Sequence, residues 1–281
     1  MKKIHLLPNV ITAFGLSCGL FVIFKISMTG LGEANPQVLT ATAGIMLLAV
    51  FADLLDGAIA RAIKVESDFG GFFDSLADAI TFGVAPSVIV LKTFSMQPGT
   101  QLSFLLTTSV MVYSVCGVLR LVRFNVTSVL AKDNAHALAI HRKNFIGLPI
   151  PAAAAAAVSA NLFLISEEFR QMINVDEETR AWMFICAMIL LGYLMVCRWK
   201  FPSLKGLRLR ITSFQLVFLT VLTAVIIFYG ILHQFSVMFF CFSWLYIVVG
   251  IILSLVRLIS GKRLKTLEDY ECGEEEIEWE Q

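Results

Sequence analysis

The stretch FADLLDGAIARAIKVESDFGGFFDSLADAITFGVAP, from Phe51 to Pro86, decides how this chain is read. Its two halves are apolar enough to sit in a bilayer, yet four aspartates interrupt them. Asp53 and Asp56 are three residues apart, and Asp74 and Asp78 are four apart, so each pair shares one face of a helix. A short polar turn separates the pairs, and a helical hairpin therefore turns all four carboxylates into one space. Gly57 and Ala60 extend the first face by a turn, with Arg61 at its edge. Their small side chains leave a groove that admits either a neighbouring helix or a flat ligand. Gly70 and Gly71 open the second helix, with Ser67 or Asp68 as its N-cap. One Asp in the middle of a spanning helix costs about 2.5–3.5 kcal/mol on insertion scales, and clustered carboxylates also repel one another. A single such acid is compatible with ordinary helix packing. Four at matched spacing call for a divalent cation, and a carboxylate set with no histidine nearby suits hard metals such as Mg²⁺, Mn²⁺ or Ca²⁺ rather than zinc.

The surrounding sequence agrees with a membrane setting. Of the 281 residues, 58% are hydrophobic and only 15% charged, against roughly a quarter charged in a soluble domain; the mean hydropathy is +0.80. A net charge of +1 gives no electrostatic case for nucleic acid as a partner. The six cysteines form no C-x-x-C pair and read as small hydrophobes. Eight apolar runs reach the ~20 residues needed to cross a bilayer, at about 9–28, 37–60, 72–93, 103–122, 147–166, 180–197, 211–231 and 236–259. Backbone groups in lipid must be paired within the segment, so the expected fold is an all-α polytopic transmembrane bundle of about eight spans, with no strand signals and no cleavable leader.

Basic residues set the orientation. The ends and loops on the side of the N-terminus carry 18 of the 22 Lys and Arg, leaving Lys25, Lys92, Arg170 and Arg180 on the other. The positive-inside rule then places both termini in the cytoplasm, with the aspartates facing that side, and this needs an even number of spans. The chain divides into a six-span core over 1–210, two further spans over 211–267 and an acidic, solvated tail over 268–281.

The pattern D-x2-D-G-x2-A-R-x8-G-x3-D-x3-D is met at every position by Asp53, Asp56, Gly57, Ala60, Arg61, Gly70, Asp74 and Asp78. It resembles the signature of the CDP-alcohol phosphatidyltransferases. That resemblance implies displacement at the phosphatidyl phosphorus of a CDP-linked lipid by an alcohol, with CMP leaving. It further implies divalent metal, Mg²⁺ or Mn²⁺ and two ions, held by Asp53, Asp56 and Asp74 with help from Asp78, which is also the expected general base. The Gly57/Ala60 face, with Arg61 and Gly70, is expected to meet the CDP-lipid. Asn9 and Thr12, one turn apart in the first helix, are candidates for the same ligand. Homodimers are the family's habit and are carried over on the same footing.

The acceptor is read from stretches outside the signature. FDSLADAITFGVAP (Phe73 to Pro86), LRLVRFNV (Leu119 to Val126), FIGLPIPAAA (Phe145 to Ala154) and RWKFPSLKG (Arg198 to Gly206) resemble the phosphatidylserine synthase branch, as does LPNVIT (Leu7 to Thr12) near the start. A departure is Cys197, where a serine is usual. L-Serine as acceptor fits Arg120 and Arg123, which end the fourth span on the aspartate side and can grip a carboxylate, with Asn125 beside them. Flanking arginines also arise for topology alone. The nearest rival is a sister enzyme using glycerol 3-phosphate or inositol phosphate, which needs a denser basic pocket. A divalent-cation transporter is the alternative of a different class, disfavoured because no carboxylate chain continues through the later spans.

Overall fold

Apolar composition and internal backbone pairing give helices nearly throughout the computed structural model. It describes residues 6–30, 36–63, 68–94, 99–131, 145–172, 175–197, 199–201 and 234–259. The helices are α1 (Leu6–Ser27), α2 (Pro36–Ile63), α3 (Asp68–Asp78), α4 (Ala85–Thr93), α5 (Gln101–Ala131), α6 (Ile150–Ile165), α7 (Glu167–Met172), α8 (Glu177–Val196) and α9 (Phe235–Ile259). Between α3 and α4 the chain stays helical but widens into a π segment, Ala79–Val84, so that Phe69–Thr93 forms one continuous apolar span. Among the described residues, six helical stretches are long and apolar enough to cross a membrane, and α6 is a shorter apolar helix. The protein is a multi-pass integral membrane protein. The expected seventh span, 211–231, lies outside the described residues, as does the acidic tail.

Packing follows the small residues. α1 lies along α2, and α5 along α8. Where α5 meets α8, Gly192 sits against Tyr113 and Cys116. α6 occupies the middle of the bundle, with Ala153, Ala154, Ala156 and Ala157 all buried, so the alanine run does serve close helix packing. The fully buried Ile150 inserts between Gly83 of the π segment and Gly117 of α5, where a Cβ on Gly117 would come within 2.9 Å of its Cδ1. α9 is fastened to α6 by Ser243 donating to the Ser159 hydroxyl at 3.0 Å and the Trp244 indole donating to the Ala156 carbonyl at 3.2 Å. Phe163 and Phe240 stack alongside, 4.5 Å between ring centres.

Two details depart from expectation. The fifth span begins at Ile150 rather than 147, and the segment before it is extended. Phe145–Ile146 (β1) pairs antiparallel with Lys200–Phe201 (β2). The Gly147 N–H donates to the Trp199 carbonyl at 2.8 Å and the Leu148 N–H to the Leu194 carbonyl at 2.9 Å. Gly147 has φ +82°, a conformation that glycine adopts without the Cβ penalty, and it turns the chain from strand into helix. The second departure is the π segment. Its wider turn leaves carbonyls that α5 collects: Tyr113 donates to the Phe82 carbonyl at 2.9 Å and Ser114 to the Gly83 carbonyl at 2.8 Å. Ser87 adds a bond to the Val110 carbonyl at 3.1 Å. Tyr113 is wholly buried. Replacing Tyr113 with Phe removes one buried bond and strands an acceptor, so unfolding of the solubilised protein should become easier by about 1–3 kcal/mol. Thermal unfolding in detergent measures this.

Candidate active site

The hairpin of α2 and α3 does what the spacing requires. Asp53 and Asp56 lie two turns before the end of α2, and Asp74 and Asp78 face them from α3. One carboxylate oxygen from each of Asp53, Asp56 and Asp74 lies within 4.8 Å of the others. Asp78 lines the same pocket from the last position of α3, directly before the π segment. α1 closes the third side. Its Thr12 hydroxyl hydrogen-bonds the Asp56 carboxylate at 2.6 Å and is also 3.1 Å from the Pro8 carbonyl. Asp56 is 5% exposed and the other three acids are half-buried. Gly15, Leu16, Ala49, Ala77 and Phe82 line the pocket alongside the carboxylates.

The donor set fits a hard divalent cation. Two oxygens on one such ion are at most about twice the metal–oxygen distance apart, roughly 4–5 Å, and the three-carboxylate cluster meets that limit before any rearrangement. All of its ligand atoms are oxygens. The opposing charge comes from α5: Arg120 is half-buried and interacts electrostatically with Asp78 and Asp53. A divalent cation would relieve the repulsion among the ionised forms of these four acids.

The other expected site residues are spread around this centre. Asn9 is half-buried on α1, three residues before Thr12. Gly57 and Ala60 are half-buried on the final turns of α2, and Gly70 lies in the first turn of α3. All three are on the turn side of the aspartates. Arg61 belongs to α2, but its side chain lies outside the described residues. The three residues expected to hold serine divide. Arg120 interacts electrostatically with Asp78 and Asp53. Arg123 donates to the Val196 carbonyl at 2.9 Å, at the C-terminal end of α8, a favourable place for a cation. Asn125 accepts from Ser75, the neighbour of Asp74, at 3.0 Å and so ties α5 to α3.

Two residues escaped the sequence reading. Thr81 lines the aspartate pocket, one turn beyond Asp78. The interval of three residues was visible, but a threonine in an apolar run carries no mark of its own. Tyr246 of α9 interacts electrostatically with Arg120. Nothing in the local sequence of α9 indicates that neighbour.

A helical hairpin carrying this carboxylate cluster inside a membrane bundle defines an enzyme class. The model of the CDP-alcohol phosphatidyltransferase family matches residues 5–204, and the chain belongs to that family. It is similar to the CDP-diacylglycerol–serine O-phosphatidyltransferase of Helicobacter pylori, with 29% identity over 262 residues, 90% of this chain and 96% of that protein. The enzyme of the same name from Methanocaldococcus jannaschii is 30% identical over 204 residues, 72% of this chain and 77% of the other. That from Bacillus subtilis is 31% identical over 199 residues, 71% and 91% respectively. Divalent metal is general in the family, in keeping with the cluster. α9 lies beyond the matched residues.

Replacing Asp74 with Asn takes one of the three clustered carboxylates away. Divalent-metal affinity, followed by Mn²⁺ titration of the purified protein, should fall by about tenfold or more. Thr12→Val, which loosens Asp56 without removing it, should give a smaller loss in the same titration.

Proposed function

We propose that this chain transfers the phosphatidyl group of CDP-diacylglycerol to the hydroxyl of L-serine, giving phosphatidylserine and CMP. The observation that carries the reading is the convergence of Asp53, Asp56 and Asp74, with Asp78 one turn further, in a pocket inside a membrane bundle. The relatives' names supply the acceptor.

In this reading Asp53, Asp56 and Asp74 hold Mg²⁺ or Mn²⁺, as two ions, with Asp78 adjoining. When bound, the ions neutralise the diphosphate and stabilise charge on the departing oxygen. The CDP-lipid lies along Asn9, Thr12, Asp56, Gly57, Ala60, Arg61 and Gly70. The serine oxygen forms a bond to the phosphatidyl phosphorus as the bond from that phosphorus to the CMP oxygen breaks, and Asp78 accepts the serine hydroxyl proton. Arg120 lies opposite Asp78, where its charge can also meet the serine carboxylate; Arg123 and Asn125 complete the acceptor side. Arg123 and Asn125 already have partners on α8 and α3, so their part is to fix the wall of that pocket as much as to touch the amino acid.

The basic-residue asymmetry supports a site and termini facing the cytoplasm, and the family resemblance supports a homodimer. Labelling of single cysteines from either side of sealed vesicles tests the first. Mass measurement of the solubilised protein tests the second.

Two outcomes check the chemistry. With serine, glycerol 3-phosphate and inositol phosphate offered in parallel, CMP should be released with serine alone. Release with a phosphorylated acceptor in place of serine would reassign the enzyme within its family. Asp78→Asn should lower kcat by about 10²–10⁴-fold while CDP-diacylglycerol affinity stays within about threefold of the unaltered protein. Near-normal turnover at saturating metal and substrates removes Asp78 as the base.

A further inference from the structure

Helical threonines usually give their hydroxyl to a carbonyl one turn back. Thr40, Thr93, Thr107, Thr108 and Thr127 all do so here, each to the carbonyl four residues earlier. Thr81 does not. It is 1% exposed, and its hydroxyl oxygen is buried with no hydrogen-bond partner among the described residues.

The π segment explains the difference. Thr81 is its third residue. The turn there is one residue longer than in an α-helix, so the carbonyl four back is no longer placed to receive the hydroxyl. Tyr113 and Ser114 hold this geometry by taking the Phe82 and Gly83 carbonyls. From the other side α1 closes on the threonine: a Cβ on Gly19 would collide with the Thr81 side chain and come within 2.8 Å of its Cα. The hydroxyl is thus fixed, and Thr81 lines the same pocket as the four aspartates.

Position along the helix indicates what the hydroxyl meets. Starting from the turn between α2 and α3, the order is Gly70, Asp74, Asp78 and Thr81. On the proposed reading the nucleotide lies at the turn, with Gly57, Ala60 and Gly70. The diphosphate belongs at the aspartates. A CDP-lipid carries its nucleotide and its lipid on opposite sides of the diphosphate, so Thr81 lies on the lipid side. We propose that the Thr81 hydroxyl is a substrate-binding group that donates a hydrogen bond to an oxygen of the phosphatidyl half of the donor, and so favours lipid-linked CDP over free nucleotide. The proposal rests on the reading of CDP-diacylglycerol as donor.

The test compares two ligands on the full-length, metal-loaded protein in detergent. Binding of CDP-diacylglycerol and of CDP is measured separately for the unaltered protein, Thr81→Val and Thr81→Ser, together with thermal unfolding. Valine keeps the shape and removes the hydroxyl. Affinity of Thr81→Val for CDP-diacylglycerol should fall by about tenfold, with CDP affinity unchanged. Its unfolding temperature should equal or exceed that of the unaltered protein, because an unpaired buried hydroxyl has been removed. Thr81→Ser should retain lipid-nucleotide affinity within about threefold. Thr81→Ala, run alongside, carries the same expectation for the ratio of the two affinities if valine fails to fold.

Unchanged CDP-diacylglycerol binding in Thr81→Val overturns the proposal and leaves the donor reading intact. An equal loss for both ligands, with easier unfolding, also overturns it by making the hydroxyl structural. Failure of the unaltered protein to bind CDP-diacylglycerol removes the donor reading, and the proposal with it.

Discussion

Carboxylates placed among membrane helices must find compensation inside the protein, because hydrocarbon supplies none. The arrangement of α1, α2, α3 and α5 can be understood from that constraint. Asp56, the most buried of the four, receives a hydroxyl from Thr12, which fixes how α1 docks. Asp53 and Asp78 interact electrostatically with Arg120 of α5. Gly15, Ala49 and Ala77, with Leu16 and Phe82, line the rest. What this leaves is the mutual repulsion of clustered carboxylates in their ionised forms, which a divalent cation would relieve.

The same accounting applies to the backbone. A π turn in lipid would be costly if its carbonyls stayed open, and α5 answers them with Tyr113 and Ser114. The helix that carries two of the acids therefore changes pitch immediately after Asp78 without losing its hydrogen bonding. Its direction below the site is decided by α5, and Ile150 at the head of α6 keeps the two in register from the far side.

The carboxylate site was legible because its information is local. Intervals of three and four residues, repeated on two apolar runs, determine facing helix surfaces whatever the rest of the chain does. Spans 9–28, 37–60, 103–122 and 236–259 were equally plain, since lipid selects for composition and length. The π segment was not legible: the single glycine in AITFGV, Gly83, marks close packing as readily as a change of pitch, and that pitch depends on hydroxyls some thirty residues away at Tyr113 and Ser114. The start of α6 was misplaced for a related reason. Gly147 and the residues beside it are held by main-chain bonds to Leu194 and Trp199, about fifty residues on, so their extended form comes from pairing rather than from local preference. Tyr246 belongs to the same class, a neighbour of Arg120 made only by the docking of α9 on α6.

α6 has 16 residues, or about 24 Å of helix, against a hydrocarbon core of about 30 Å. A lipid-facing helix of that length would thin the bilayer or tilt at some cost. α6 escapes this because eleven of its sixteen residues are buried by neighbouring helices and the other five are half-buried, so membrane thickness acts on the protein mainly through the surrounding longer helices. The centre of the bundle is thereby insulated from the lipid mixture outside. A change in bilayer thickness would strain the outer helices first and leave the post that supports the π segment in place, which is a useful separation for an enzyme whose own product becomes part of the solvent it sits in.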